Sequence, residues 1–307
     1  MKFKYSFTLL FLIAFLFVGC GKDSSGEEEV PQAFREYWYK GQAEISRYTL
    51  SQGHYGAANP GEAVLIFVTE DFRTDAQVKL ESDEKRRATS VLKLNAIRRF
   101  VTGIYDYSLY SSVFTPIQTT KFGHSLKVTM SAQDWCGQTY TQLNLKKDSY
   151  DVMGRSYFEK NATEDFSIDA AWLEDELWTR LRINPESLPT GETTVIPATY
   201  AARLTGQKLE PQPAVGTRQA YAGADFKGIS LLQYSLQYPN AGRMLTLIYE
   251  QQFPHEIVGW EENYTSGGKM LTTRATRTHT ERTDYWTHNA PADTTLRQQL
   301  GVQGFTF

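Results

Sequence analysis

Two cysteines, five histidines and three of the runs of adjacent carboxylates are the side chains of this 307-residue chain whose types and spacing could do chemistry. Cys20 has the clearest context. It follows Lys2, Lys4, an apolar run from Ser6 to Val18, and Gly19. Basic start, apolar core and small residue before a break are the layout of a secretory signal. A cysteine immediately after the break is the site where lipid is joined to the thiol and the chain is cut before Cys20. The usual leucine three places before the cysteine is replaced by Phe17, with Leu16 one place earlier. The apolar run is shorter than the roughly 20 residues that span a bilayer, which argues for a cleaved signal rather than a membrane helix. Several acyl chains, at about 0.8 kcal/mol per buried methylene, would then hold the mature protein on a membrane.

The remaining candidates are weaker. Trp135-Cys136-Gly137 has half of a dithiol turn, but no second cysteine follows, so exchange chemistry is excluded and Cys136 reads as a buried structural thiol. With Cys20 lipidated, Cys136 has no partner and no disulfide framework exists. His54, His124, His255, His279 and His288 lack metal-ligand spacing, although His279 and His288 would meet if their segments paired. Neither a metal site nor a cofactor is expected. Carboxylates lie together at Glu70-Asp71, Glu174-Asp175-Glu176 and Glu261-Glu262. Glycoside hydrolysis needs two carboxyls facing one cleft, and Trp260, Tyr264, Tyr285 and Trp286 would suit such a cleft. Neighbours on a strand point to opposite faces, however, so Glu261 and Glu262 cannot share one. No nucleophile elbow, phosphate-binding loop or dinucleotide fingerprint is present. No catalytic residue is therefore assigned.

Composition sets further bounds. The chain is 41% hydrophobic and 22% charged, with a mean hydropathy of −0.44, which is ordinary for a globular protein. Its formal charge is −3, and losing Lys2 and Lys4 with the signal leaves −5. An acidic body with one basic run, Lys85-Arg86-Arg87, preceded by Glu81, Asp83 and Glu84, has no nucleic-acid footprint. Aromatics are 13% of residues, and stretches such as Tyr105-Asp-Tyr-Ser-Leu-Tyr110 suit either sheet packing or a groove for sugars, lipids or peptides.

The elements that must position these groups are mostly strands. Residues 20–33 read as a lipidated cysteine and flexible tether, and 34–307 as a β-rich globular domain. Strands are expected at Ala43–Gln52, Glu62–Phe72, Val91–Phe100, Ser125–Ser131, Tyr140–Leu145, Tyr150–Phe158 and Thr193–Ala198. The unbroken run from Val64 to Val68 predicts a strand covered on both faces. Hairpins are expected between Ser230–Tyr238 and Met244–Gln252, and between Ile257–Tyr264 and Met270–Thr280. In Asp169–Ile183, Leu173, Leu177 and Leu181 recur every four residues beside Trp178, while Glu174, Asp175, Glu176 and Arg180 take other faces. That is the pattern of an amphipathic helix, stopped by Asn184-Pro185. Shorter helices are expected at Gln32–Tyr39 and near Asp293, and a break between halves at Lys208–Thr217.

Several segments resemble a family of uncharacterised Bacteroidota lipoproteins. They are Tyr39-Lys-Gly-Gln-Ala-Glu-Ile45, Gly61-Glu-Ala-Val-Leu-Ile-Phe-Val-Thr-Glu-Asp-Phe72, Lys93-Leu-Asn95, Thr102-Gly-Ile-Tyr105, Val113-Phe-Thr-Pro116, Trp135-Cys-Gly137 and Leu173-Glu-Asp-Glu-Leu-Trp178. The similarity covers about Tyr37 to Leu188. Some members carry the label septum formation inhibitor Maf, but the Ser-x-Arg-Arg phosphate motif of true Maf pyrophosphatases does not occur here. What the resemblance implies is an envelope location and a shared fold, with no catalytic residues to transfer.

The expected fold is mainly β (α+β), a large antiparallel curved sheet or open barrel with one amphipathic helix packed on it. The expected role is that of a non-catalytic, lipid-anchored envelope protein of the outer membrane, facing the periplasm or the exterior. It would bind a lipid, glycan or envelope-protein partner and no nucleic acid. The alternative is an envelope hydrolase acting on glycan or peptide.

Overall fold

Side-chain alternation sorts each strand into two faces, and in this protein one face is buried along most strands while the other is covered only in part. The computed structural model describes Met1, residues 30–82 and residues 87–302. The signal segment, Cys20, most of the tether and Asp83–Arg86 of the charged loop lie outside the described residues. One sheet of 16 strands contains β1 (Ala43–His54), β2 (Ala57–Arg73), β3 (Val78–Lys79), β4 (Ala88–Thr102), β5 (Tyr105–Pro116), β6 (Lys127–Asp134), β7 (Gly137–Leu145), β8 (Ser149–Ser156) and β9 (Thr163–Asp169). Its other half is β10 (Trp172–Leu173), β11 (Gly191–Ile196), β12 (Gln212–Ala220), β13 (Leu231–Tyr238), β14 (Arg243–Glu250), β15 (Ile257–Ser266) and β16 (Lys269–Thr283). Neighbours pair antiparallel, apart from the parallel β10–β11 contact.

The strand order places β10 at one edge and β9 at the other, with β16 paired to β1 in the middle and β3 as a side branch on β2. Only Ala170 and Ala171 separate β9 from β10 along the chain. Three peptide steps span at most about 11 Å, so the two edges lie close together and the sheet must curl round on itself. The chain then turns inward as α3 (Glu174–Ile183), every residue of which from Glu174 to Arg182 is buried. Leu177, Trp178 and Leu181 join one core cluster with residues from β1, β2, β4 to β8 and β11 to β16. A strand set that reaches one helix from all of these positions is wrapped around it. The expected curved antiparallel sheet with a helix against it is what forms. The helix differs in one respect: it has no solvent face, and its charged side chains are enclosed too.

The ends of this barrel-like shell are covered. Phe34 and Trp38 of α1 (Gln32–Trp38) pack beside Phe67 and Phe253 at the end where β1 begins. Tyr200 and Ala201 of α4 (Thr199–Thr205) close the other end with Phe100, Tyr107 and Leu109. Outside the shell, Ile45, Val64 and Ile97 face away from α3 and meet Leu300 and Val302 of the C-terminal segment. Val64–Val68 is thus covered on both faces, as its composition predicts. Two further short helices, α2 (Thr119–Phe122) and α5 (Leu296–Gln299), lie on connections.

Some boundaries differ from the sequence reading. β2 runs on through Pro60 and Gly61, because a glycine there admits a close neighbour: a Cβ on Gly61 would stand 2.2 Å from the Arg99 carbonyl oxygen. β5, β9 and β12 were not foreseen. β12 occupies most of Lys208–Thr217, read as a break, and pairs on both sides with β11 and β13. The region expected to be helical from Asp169 begins as the end of β9, a two-residue link and β10, and the helix starts at Glu174.

Leu177→Asp places an unpaired carboxylate against the shell interior. Its expected cost exceeds about 4 kcal/mol, a fall in Tm of roughly 10 °C or more, readable by circular dichroism. An unchanged Tm would show that Leu177 is not enclosed.

Candidate functional site

The acidic triplet at the start of α3 is one of the carboxylate runs singled out in the sequence, and the structure shows where each member goes. Glu174 accepts both guanidinium nitrogens of Arg243 from β14, each at 2.5 Å, and the Tyr238 hydroxyl at 2.8 Å. Arg243 also lies 3.5 Å from Glu262 on β15, which in turn accepts from Arg98 of β4 at 2.7 Å. The Arg98 guanidinium stacks 3.8 Å from the Tyr200 ring centroid and 5.1 Å from that of Trp260. Burial opposes ionisation of Glu174, but the charge and hydrogen bonds of Arg243 outweigh it and hold the carboxyl below its ordinary range. Glu174 and Glu262 are an acid pair in space that no spacing in the sequence announces.

Asp175 has no arginine in hydrogen-bond contact. It accepts from the Thr199 backbone N–H at 2.8 Å and the Thr199 hydroxyl at 3.1 Å. Burial, reinforced by the charge of Glu174, raises its pKa from 3.8 to about 7 against those hydrogen bonds. Beside it, among Leu65, Arg98, Trp178 and Tyr200, lies a void of about 10 Å³, room for about one water molecule. No substrate fits there. Glu176 accepts from the backbone N–H of Ser125 at 2.7 Å and of Leu173 at 3.1 Å, and its other contacts are His124 at 3.0 Å and Arg180 at 3.5 Å. Burial again opposes ionisation, while His124, Arg180 and these donors keep Glu176 ionised. Ser125 and His124 both bond to Glu176 rather than to each other, so no nucleophile relay forms. At the far end of α3, Arg182 pairs bidentately with Glu44 at 2.6 and 2.5 Å, and Tyr37 adds a hydrogen bond of 2.6 Å.

The other candidates scatter. Glu261 points outward to Arg274 while Glu262 points inward, as alternation requires. Glu70 pairs with Lys93 at 3.2 Å. His279 and His288 do not meet; they line two different cavities. His54 stacks on Tyr55, and His255 contacts Phe253. Cys136 corrects the expectation of burial: it is exposed in the β6–β7 turn, where its N–H is held by Asp134 at 2.7 Å. The turn geometry leaves its side chain outside the sheet. Among the described residues no group of three or more histidines, cysteines and carboxylates could hold a metal ion.

Space for a ligand lies outside the shell. The segment from Tyr285 to Val302 arches over the outer face of β1, β2, β4 and β16 and borders a half-open cavity of about 480 Å³. Its floor is Ile45, Val64, Ile66 and Ile97 from the sheet, its roof is Leu296, Leu300 and Val302, and charges of both signs, including Glu62, Arg99, Glu281 and Asp293, border it. Volume and mixed lining fall within the range of small-molecule sites. Sequence reasoning missed this place, because its floor residues are 52 positions apart and its roof is nearly 200 residues further on. The only signals were the doubly apolar run at Val64–Val68 and the short helix near Asp293.

No protein-family model, no curated sequence and no solved structure matches this chain.

The buried carboxylates give opposite pH signatures. Asp175 binds a proton in the folded state that the unfolded chain releases, so its contribution is full below pH 4 and declines, by at most roughly 1.4 kcal/mol per pH unit, up to about pH 7. Glu44, Glu174 and Glu176, held below their ordinary range, contribute above about pH 4.5 and lose that contribution as pH falls further. Asp175→Asn, which keeps an acceptor for Thr199, is expected to abolish the decline between pH 4 and 7 and to be more stable than the parent at pH 8. Urea midpoints of both proteins across pH 4–8 check this; parallel curves would refute it.

Proposed function

We propose that this chain is a lipid-anchored protein of the bacterial outer membrane that binds a small amphiphile and performs no catalysis. The observation carrying the proposal is where the empty space with an apolar floor lies: about 480 Å³ under the C-terminal arch, against about 10 Å³ beside the buried carboxylates and a mostly polar cavity of about 410 Å³ lined by Glu256, Arg277 and His279. An apolar floor of four aliphatic side chains suits an alkyl chain or a ring system. The bordering acids and arginines suit a polar head carrying hydrogen-bonding groups or charges of both signs. Several members of that border have protein partners, Glu62 with Arg47 at 3.4 Å and Arg99 with the Tyr110 hydroxyl at 2.5 Å, which gives them fixed directions.

The anchoring half of the proposal comes from Cys20 and the signal pattern before it. Among the described residues no helix is long and apolar enough to cross a membrane. Attachment through acyl chains would leave the cavity, built entirely from residues after Val30, free for a ligand. The resemblance to Bacteroidota lipoproteins supports the same assignment.

Two measurements test the two halves separately. Cys20→Ser is expected to shift the protein from the membrane to the soluble fraction; continued sedimentation with membranes would remove the anchor. A dodecanoate carrying a fluorescent group is expected to bind saturably to the purified lipoprotein in detergent. Ile97→Trp, which fills the cavity floor, should weaken that binding at least tenfold with little change in Tm. Equal binding by the variant would show that the cavity is not the site.

A further inference from the structure

The polar cavity of about 410 Å³ adjoins the one under the C-terminal arch, and one strand lines both. β15 pairs with β16 only as far as Gly259 with Thr276. The two strands part beyond that pair, and the wedge between them, lined by Glu256, Val258 and the run from Thr276 to Thr280, is the polar cavity. Glu281, Arg282 and Thr283, the next residues of β16, line the arch cavity. A β-bulge marks the boundary. Thr278 is an extra residue on β16, so His279 stands opposite Arg47 of β1 while Arg277 stands opposite Tyr48. Bulges re-aim side chains in this way. The His279 ring lies so close to Gly301 of the arch that a Cβ there would stand 2.6 Å from it. Arg47 reaches to both sides, 3.4 Å from Glu62 at the arch cavity and 3.4 Å from the Thr278 hydroxyl at the polar one. His279 and Arg47 thus form a polar partition between a space with an aliphatic floor and a space lined mostly by polar groups.

We propose that the two cavities are one bipartite site for a single-chain anionic amphiphile, with its alkyl chain under the arch and its carboxylate or phosphate head in the polar cavity. This rests on the reading of the arch cavity as an amphiphile site and names the class of its ligand. Charge decides where the head goes. Each acid of the polar cavity already has an arginine, Glu256 with Arg277 at 2.5 Å and Asp225 with Arg274 at 3.0 Å. The Lys227 ammonium and the His279 ring, which line the same cavity, have no hydrogen-bonding or ionic partner among the described residues. An uncompensated cation and a ring nitrogen able to donate are what an anionic head needs for short, charge-assisted hydrogen bonds. The border of the arch cavity is the reverse. Glu281 has no ionic partner there among the described residues, while Arg99 and Arg282 are turned to the Tyr110 hydroxyl and the Tyr37 carbonyl. Like charge at Glu281 steers the head away from that side. Both cavities are half open, so a ligand lies across the partition without displacing it.

The purified lipoprotein, in an uncharged detergent and loaded with the fluorescent dodecanoate, is titrated with dodecyl phosphate and with uncharged monododecanoylglycerol. Dodecyl phosphate is expected to displace the probe at a concentration at least tenfold lower. Lys227 is exposed, so Lys227→Glu should leave Tm unchanged. It should weaken dodecanoate and dodecyl phosphate at least tenfold and leave the affinity for monododecanoylglycerol as it was. Lys269→Glu, at the start of β16, changes the net charge equally and should alter none of the three affinities. Equal affinity of the parent for the two competitors would overturn the bipartite assignment. So would undiminished anion binding in Lys227→Glu, or a loss in Lys269→Glu as large as in Lys227→Glu. Each of these results leaves the arch cavity standing as the amphiphile site. Failure of that underlying reading shows separately, as undiminished dodecanoate binding by Ile97→Trp.

Discussion

Five ionisable side chains on a ten-residue helix are shut inside a sheet, and each must find a partner or give up its charge. Removing an ion from water costs several kcal/mol even in a relaxed protein interior. Four of the five are matched with charge: Glu174 by Arg243, Glu176 by Arg180, and Arg182 by Glu44. The fifth, Asp175, is pushed toward its neutral form. These pairs contribute modestly to net stability, since burial consumes much of the Coulomb energy. Their larger effect is on register. A one-residue slip of β1, β4, β14 or β15 would carry Glu44, Arg98, Arg243 or Glu262 to the outer face and strand a charge inside. A 16-strand sheet, in which many registers bury similar apolar area, acquires one favoured arrangement in this way.

The same network explains what could be read from the chain and what could not. The C-terminal hairpins were legible because alternation and short glycine-containing turns are local signals. So was the four-residue spacing of Leu173, Leu177 and Leu181. The fate of the acids around those leucines was not, because their partners lie far off: 69 residues for Arg243 with Glu174, 138 for Glu44 with Arg182, and 164 for Arg98 with Glu262. A polar helix face looks alike in sequence whether water or arginine covers it. β9 was missed for the opposite reason. It is an edge strand with both faces mostly exposed, so no hydrophobic period marks it. In β12, Pro213 and Gly216 read as a break, yet Gly216 is where the Pro189 carbonyl passes so close that a Cβ would stand 2.1 Å away.

The candidate site was less legible still. Its floor is a set of outer-face aliphatics, and on most solvent-facing strands those positions would be polar. Ile45, Val64, Ile66 and Ile97 are apolar because the C-terminal segment lies over them. That segment has little regular structure of its own, two 3₁₀ turns over Tyr285–Thr287 and Pro291–Thr295 and the four-residue α5. It touches the sheet through Leu300 and Val302, and it spans the rest of the cavity as a roof. The cavity beneath it is half open, so a ligand could enter without disturbing the shell.

Recognition on the outside follows from the state of the inside. The interior of a curled sheet is the natural hold for a ligand, but here α3 and its ion pairs fill it, and moving them would expose several buried charges at once. The shell is therefore too costly to open, and the cavities of ligand size lie on its outer side, one beneath the C-terminal arch and one lined by Glu256, Arg277 and His279. Both stand on strands whose register the buried pairs fix, so filling either would require little ordering of the sheet itself.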